Sequence, residues 1–415
     1  MKTTNQYQTK RAQPRKPGKA RGPAQRDTKE VMAELVARLS QKLDTQSGRF
    51  CTDDEVNRTL APNRDRLTVG VDLGDKRSNF CILGLDGETL VEGELQTSQL
   101  DFSELFGALA PARVVIEVGT HSAWARDAVA LCGHEVLVAN PRQMEGPKKR
   151  KRKNDRIDAH KLARVGRMDP QSLFPIHHRS VEVRRDLLGL RARSALVAVR
   201  TELINATRGL VKSMGARLPK CSTQAFPKKV ERELPAEVRE ILLPLVEIVK
   251  CVNASIQSYD ERIEELATDK YPQTKLLRQV KGVGPVTSLA YVLTLEDPKR
   301  FSRSRDVGPY IGLVPKQEDS GDRQPQLRIS KMGDVMLRSL LVGSAQYILG
   351  PFGPDTELRR YGLRLSERGG KNAKKRAVVA VARKLAVLLH RLWVSGAVYE
   401  PLRQGLLPTA GRNAA

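Results

Sequence analysis

The chain has 415 residues, which at roughly 100–200 residues per domain implies two to three domains and excludes a single small module. Lysine and arginine number 72 against 47 aspartates and glutamates, and the net charge of +25 points to a polyanionic partner, nucleic acid ahead of an anionic membrane surface. Aromatic residues make up 4% of the chain, too few for base stacking as the main binding mode.

No run nears the roughly 20 consecutive apolar residues of a membrane span, and the basic N-terminus lacks the apolar stretch of a secretory signal, so a cytoplasmic protein is expected. The cysteines Cys51, Cys81, Cys132, Cys221 and Cys251 lie far apart with no C-x-x-C pair, which predicts reduced thiols, Cys81 and Cys132 filling apolar runs. The one local histidine pair, His177 and His178, is adjacent and points apart, which argues against a zinc site.

Residues 1–66 form a basic N-terminal arm, expected to be largely disordered: its first 26 residues hold eight Lys or Arg and no acid. Within it, Val31, Leu35 and Leu39 mark a helix over 28–43. Residues 67–169 change texture to short apolar runs. Strands are predicted over 68–71, 80–85 and 89–95, with Asp86-Gly87 as a hairpin turn. A helix near 102–109, a strand over 114–116, a helix near 123–131 and a strand over 135–138 follow. This β-β-β-α-β-α-β order is that of a ribonuclease-H-like mixed sheet.

Residues 142–167 then carry eleven Lys or Arg, including the run Lys148, Lys149, Arg150, Lys151, Arg152 and Lys153, and lead into a helix over 155–165. Residues 170–270 read as a helical, coiled-coil connector. In it Leu245, Val249, Val252, Ile256, Tyr259, Ile263 and Leu266 alternate in steps of four and three, the seam of a helix pair that folds back or dimerises. Residues 271–403 read as a mainly helical C-terminal domain, and 404–415 as a loose tail. The fold class is α/β plus all-α.

Two constellations carry chemistry. Asp72 ends the first strand beside Gly74, and Glu117 ends the strand Val114-Val115-Ile116; in the order above the two strands are neighbours. Asp155 and Asp158 are three apart and share one helix face. Singly, these acids also fit a turn, a cap and a helix N-terminus. Four acids at one locus repel unless divalent cations are present, and two Mg²⁺ (Mn²⁺ being an alternative) spaced about 4 Å apart suit phosphodiester chemistry. The neighbouring run Lys148–Lys153 is placed to clamp phosphates, although it would also pass as a solvated loop.

In the second constellation, Val280-Lys281-Gly282-Val283-Gly284-Pro285 resembles the hairpin of a helix-hairpin-helix element, in which Lys281, Gly282 and Gly284 approach a phosphate; an ordinary helix–helix turn is the alternative. Further on, Ser320-Gly321 sits among Lys316, Arg323, Arg328, Lys331 and Arg338. Ser320 is either a nucleophile toward a phosphodiester, with the cations steadying the developing charge, or a loop serine; no histidine lies near it in sequence.

Taken together, Val69-Gly70-Val71-Asp72, Val115-Ile116-Glu117-Val118-Gly119-Thr120, Lys153-Asn154-Asp155-Arg156-Ile157-Asp158-Ala159, Gly282-Val283-Gly284, Gly312-Leu313-Val314-Pro315, Ser320-Gly321 and Ile329-Ser330-Lys331-Met332-Gly333-Asp334 resemble the DEDD transposases of the insertion-sequence 110 family, the bridge-RNA-guided recombinases. The resemblance spans about Leu67 to Trp393; the N-terminal arm lies outside it, and Gln324-Pro325-Gln326-Leu327 lacks a glycine often found there. It implies a RuvC-like domain whose Asp72, Glu117, Asp155 and Asp158 bind Mg²⁺, and a C-terminal transposase domain whose Ser320 becomes joined to DNA. It further implies double-stranded DNA as substrate, an element-encoded guide RNA, and a homo-oligomer (a dimer, or a tetramer on synapsis) with a composite active site. The alternatives are a water-using RuvC-like nuclease or junction resolvase, and a non-catalytic nucleic-acid scaffold.

Overall fold

A computed structural model describes residues 67–141, 143, 155–317, 327–370 and 372–402, which fall into two compact units dividing between His178 and Arg179. The helix expected over 28–43, the run Lys148–Lys153, Ser320 and Arg323 lie outside the described residues.

The first unit is built on strands β1 (Thr68–Asp72), β2 (Arg77–Leu83), β3 (Thr89–Gln96), β4 (Arg113–Glu117) and β5 (Glu135–Ala139), in the spatial order β3-β2-β1-β4-β5. The first three strands meander antiparallel, and β4 and β5 join β1's other edge in parallel. This mixed sheet has the layout expected of a ribonuclease-H-like domain. The expected hairpin turn closes with the Gly84 amide donating to the Glu88 carbonyl at 2.9 Å and with Gly87 at φ +84°, a left-handed conformation that glycine adopts without a Cβ penalty.

Strand alternation sends side chains to opposite faces. Val69, Val71, Phe80, Ile82, Val114 and Ile116 pack beneath helices α1 (Gln99–Gly107) and α2 (Ser122–Leu131), where Phe102, Leu105, Phe106, Ala125 and Val129 are buried. Gly70, Cys81, Leu83 and Val115 face the opposite layer, helix α3 (Asp155–Met168). Burial and the Glu92 carboxylate push the Cys81 thiol up to about 12, so a protonated thiol packs there. His134 fixes the layer of α1: its Nδ1 accepts from the Ala112 amide at 3.0 Å, so its Nε2 donates to the Phe106 carbonyl at 2.7 Å.

In the second unit, α4 (Val181–Ser213) and α6 (Ala236–Glu265), with the short α5 (Phe226–Glu233) between them, fold back on each other. Arg193 pairs with Asp260 at 2.5 Å and Arg200 with Asn253 at 3.0 Å, so seven residues forward on one helix is seven back on the other, an antiparallel pair. The expected seam is the packed stripe of α6 and the turn that follows it: Val249, Ile256 and Ile263 are buried, and Leu245, Val252, Tyr259 and Leu266 half-buried. By length and composition the segment Ala236–Lys270 also suffices to cross a membrane, with a mean hydropathy of 1.3 in its most apolar window.

The carboxylate of Asp186 on α4 accepts from Lys270 Nζ and Tyr271 Oη, each at 2.6 Å, tying the start of α4 to the chain that leaves the far end of α6. Burial would raise this carboxyl, but the two hydrogen bonds outweigh it and hold the group below the usual carboxylate range. The contribution is therefore complete above that range and lost as acid protonates the folded form. Asp186→Asn should lower the urea midpoint at pH 7 by the equivalent of about 1–3 kcal/mol, discounted for the partly exposed lysine, with the gap closing below about pH 4. Equal midpoints at pH 7 would refute the linkage.

Beyond this pair, α7 (Thr274–Arg278), α8 (Pro285–Leu295), α9 (Val307–Ile311), α10 (Val335–Leu349), α11 (Glu357–Glu367) and α12 (Ala373–Ser395) form the C-terminal bundle. Helix α8 carries no charged residue, and every residue from Thr287 to Leu295 is buried, as expected of a central helix. Tyr291 satisfies its hydroxyl there by donating to the Ala386 carbonyl at 2.6 Å.

Candidate active site and nucleic-acid surfaces

The acids of the first unit are positioned by backbone geometry. β1 and β4 run parallel with Val71 beside Ile116, so Asp72 and Glu117 occupy adjacent positions at the carboxyl ends of neighbouring strands. Helix α3 crosses this face in the opposite sense. Its Ala159 and Ala163 lie against Gly70, and its Gly166 lies against Val115, level with Gly70 on β4, and against Thr68 at the amino end of β1. Moving from Ala159 to Asp155 climbs about 6 Å along α3, and moving from Gly70 to Asp72 covers about 7 Å along β1. The first turn of α3, carrying Asp155 and Asp158, therefore lies at the sheet end that carries Asp72 and Glu117.

Arg113 fixes the far end of α3, with Nη1 donating to the Gly166 carbonyl at 3.2 Å and Nε to Glu135 at 3.0 Å. Aspartate and glutamate offer carboxylate oxygens, a hard donor type that suits Mg²⁺ or Mn²⁺ and disfavours soft metals. Oxygen donors from two strands and one helix fit such an ion.

The loops leaving β1 and β4 add Asp75 and His121, which the sequence did not single out, and His178 of the expected pair joins them. His121 Nδ1 accepts from Trp124 Nε1 at 3.0 Å. An indole nitrogen can only donate, so the ring proton of His121 sits on Nε2, 3.6 Å from the exposed Asp75 carboxylate. His178 Nε2 lies 3.0 Å from Ser122 Oγ, which donates to the Gly119 carbonyl at 2.8 Å and so shapes the turn after Glu117. The sequence signal, a histidine four residues past a strand-end acid, carries no periodicity and is easily passed over.

In the second unit, α7, the turn Gln279–Gly284 and α8 form a helix, tight turn and helix. Gly282 has φ +96°, and a Cβ there would sit 2.8 Å from Tyr347, so a side chain is excluded on both counts. Lys281 and Gly284 are exposed, and the turn opens onto a groove lined by Gly282, Gly284, Thr287, Ser339, Gly343 and Tyr347. A longer excursion leaves α9 at Gly312. Two short arms pair through the Lys316 amide to the Arg328 carbonyl at 2.9 Å and the Ser330 amide to the Val314 carbonyl at 2.8 Å. Ser320 and Arg323 belong to the segment between these arms.

At the base of the arms, Gly312 has φ +76° and a Cβ there would lie 2.1 Å from the Met332 carbonyl, so glycine is required where the arms cross. Lys316, Arg328 and Lys331 are exposed, as phosphate contacts need. Arg338 differs from expectation. It is buried on α10, and its Nη1 donates to the carbonyls of Ile311 at 2.8 Å and Met332 at 2.9 Å, because the crossing arms leave carbonyls that need a donor. Its Nη1 is thereby committed to holding the loop.

Residues 69–215 match the IS110-type DEDD family described as Transposase, and residues 274–357 match the Transposase IS116/IS110/IS902 family. The chain is 28% identical over 337 residues to the transposase for insertion sequence element IS1111A of Coxiella burnetii, covering 79% of this chain and 90% of that protein. It is 29% identical over 342 residues to a Pseudomonas aeruginosa protein described as "Probable family 20 transposase", covering 80% and 98%. The transposase for IS1328 of Yersinia enterocolitica is 26% identical over 283 residues, covering 67% and 82%. With the mixed sheet and helical second unit, these matches define a DNA transposase of the DEDD class. The chain belongs to the IS110/IS116/IS902 family of insertion-sequence transposases.

Proposed function

We propose that this transposase cuts and rejoins the DNA of its element with two cooperating parts: a RuvC-like acidic centre of Asp72, Glu117, Asp155 and Asp158, and the serine Ser320. The observation that supports the reading best is the run of α3 antiparallel to β1, which gives all four acids one sheet end. These acids would hold Mg²⁺ or Mn²⁺, which supplies Lewis acidity toward phosphate oxygens when bound. Ser320 Oγ attacks the phosphorus of a DNA strand and loses its proton to solvent. A serine–phosphate ester forms as one deoxyribose oxygen leaves. Attack by the hydroxyl of another DNA end reverses the step and frees the serine, so phosphodiester bonds are conserved and no external energy is consumed. Exposed Lys281, Lys316, Arg328 and Lys331, and the run Lys148–Lys153 with Arg323, hold phosphates.

The excess of basic charge serves both double-stranded DNA and an element-encoded guide RNA. The working form is a homo-oligomer, dimeric and then tetrameric on synapsis, acting in the cytoplasm at the nucleoid. The test is trapping. The protein is expressed with its complete element and flanks, denatured and nuclease-digested, and Ser320 is searched by mass spectrometry for a nucleotide adduct. The expected result is an adduct on Ser320 that vanishes in Asp72→Asn, and no strand transfer by Ser320→Ala. Cleaved DNA without an adduct would replace this reading with a water-using nuclease; Mg²⁺-independent binding without cleavage would leave a scaffold.

A further inference from the structure

A second set of metal-ligating side chains lies on the same face of the sheet, toward its β3 edge. In the β2–β3 ladder Cys81 stands directly opposite Glu92, and across β2's other edge Cys81 stands beside Gly70 of β1. Because Gly70 carries no side chain, α3 descends until the Ala159 carbonyl lies only 2.0 Å from where a Gly70 Cβ would be. That close approach lowers the next residue of α3, His160, onto the rim formed by β2 and β3. Cys81 Sγ, a Glu92 carboxylate oxygen and a ring nitrogen of His160 all lie within 4.8 Å of one another. Cys81 is fully buried, His160 half-buried and Glu92 exposed, so the group runs from a buried thiol through a half-buried imidazole to an exposed carboxylate.

We propose that Cys81, Glu92 and His160 form a binding site for a borderline-soft divalent ion of the zinc class, separate from the carboxylate centre. Thiolate, imidazole and carboxylate are the zinc ligand types, and three protein ligands with water in the fourth position are a common tetrahedral set. Donors around a tetrahedral zinc stand roughly 3.5 Å apart, so closing the set needs a shift of about an ångström, available to the exposed Glu92 side chain through rotamer changes. On binding, the Cys81 thiol releases its proton to solvent, a sulfur–metal bond forms, and no electron is transferred. The all-oxygen centre selects hard ions, and this one, with sulfur and nitrogen, selects softer ones.

Its position gives it a task. Ligands from β2, β3 and α3 tie the helix to the hairpin two residues beyond Asp158, so the bound ion would hold the first turn of α3 over β1. The proposal stands on the placement of these three residues and does not depend on Ser320 or on a guide RNA. Neither sequence spacing nor local histidine pairs reveal it, because His160 follows β4 and β5 in the chain, far in sequence from Cys81 and Glu92.

Cobalt titration of the chelator-treated full chain tests it. Co²⁺ bound by a cysteine gives a thiolate-to-metal charge-transfer band in the near ultraviolet together with visible bands of tetrahedral cobalt. The expected result is saturation at a single equivalent and displacement by Zn²⁺ but not by Mg²⁺. The bands should be absent in Cys81→Ser and His160→Gln, and retained both in Asp72→Asn and when Cys51, Cys132, Cys221 and Cys251 are all changed to serine. Glu92 is exposed and its replacement spares the core, so Glu92→Gln should fold normally yet bind Co²⁺ at least about tenfold more weakly. No charge-transfer band in the unaltered chain, a band that persists in Cys81→Ser, or unchanged affinity in Glu92→Gln would each overturn the site.

Discussion

Asp72→Asn and Asp158→Asn should each reduce strand cleavage on the order of 10³-fold or more while leaving the chain folded, because removing a carboxylate from the proposed ion-binding set would forfeit several kcal/mol of transition-state stabilisation. Asparagine keeps the size and hydrogen-bonding reach of aspartate at the end of β1 and in the first turn of α3, so the sheet and the Gly70 contact persist. The substitutions also remove negative charge from the surface proposed to receive a phosphodiester. DNA retention at low salt should therefore be equal to or slightly tighter than that of the unaltered protein. Cleavage assays on element-end duplexes, paired with equilibrium binding across a salt series, separate the two effects. Near-normal cleavage by either variant would remove the four-acid centre from the reaction. Loss of binding in parallel with cleavage would mean that the substitution had unfolded the first unit.

The first unit was readable because its elements are short and its alternation strict. Val69 and Val71 face one layer and Gly70 the other, and Asp86-Gly87 marks the hairpin without further context. Its edges were less readable. β2 begins at Arg77, three residues before its apolar run, since the ladder bonds of Arg77, Ser78 and Asn79 to Gln96, Leu95 and Glu94 depend on backbone groups and not on side-chain polarity. Asp72, Glu117, Asp155 and Asp158 could be grouped because each abuts a strand end or opens a helix, and strand order then brings them together.

The heptad steps of Leu245 to Leu266 predicted a packed stripe but left folding back and dimerisation open. The pairings of Arg193 with Asp260 and Arg200 with Asn253 show that α4 is the partner. Arg338 stands among the cations of its loop in the sequence, where charge is visible and burial is not. The carbonyls of Ile311 and Met332 that capture it belong to a loop crossing, a property of three-dimensional closure. Cys81, Glu92 and His160 likewise share no local spacing and meet only because α3 lies so low on the sheet.

That low seat makes Gly70 the position where fold and chemistry are most tightly joined. A Cβ at Gly70 would lie 2.0 Å from the Ala159 carbonyl oxygen and 2.5 Å from the Ala163 amide nitrogen, both backbone atoms that cannot rotate aside. Gly70→Ala must therefore lift α3 or bend β1 by about an ångström, and overpacking of this kind costs about 1–3 kcal/mol, with more expected for backbone contacts this short. The urea midpoint of the first unit should fall accordingly. Cleavage measured well below that midpoint should fall further than instability explains, since the displaced helix begins with Asp155 and Asp158. Gly107→Ala is the matched control. It lies at the end of α1 with nothing within 4 Å of an added Cβ, and should be neutral or stabilising by up to about 1 kcal/mol with cleavage unchanged. A Gly70→Ala protein with ordinary stability and full cleavage would show that the sheet and α3 separate without consequence, and the positional argument for both ion-binding sets would fail with it.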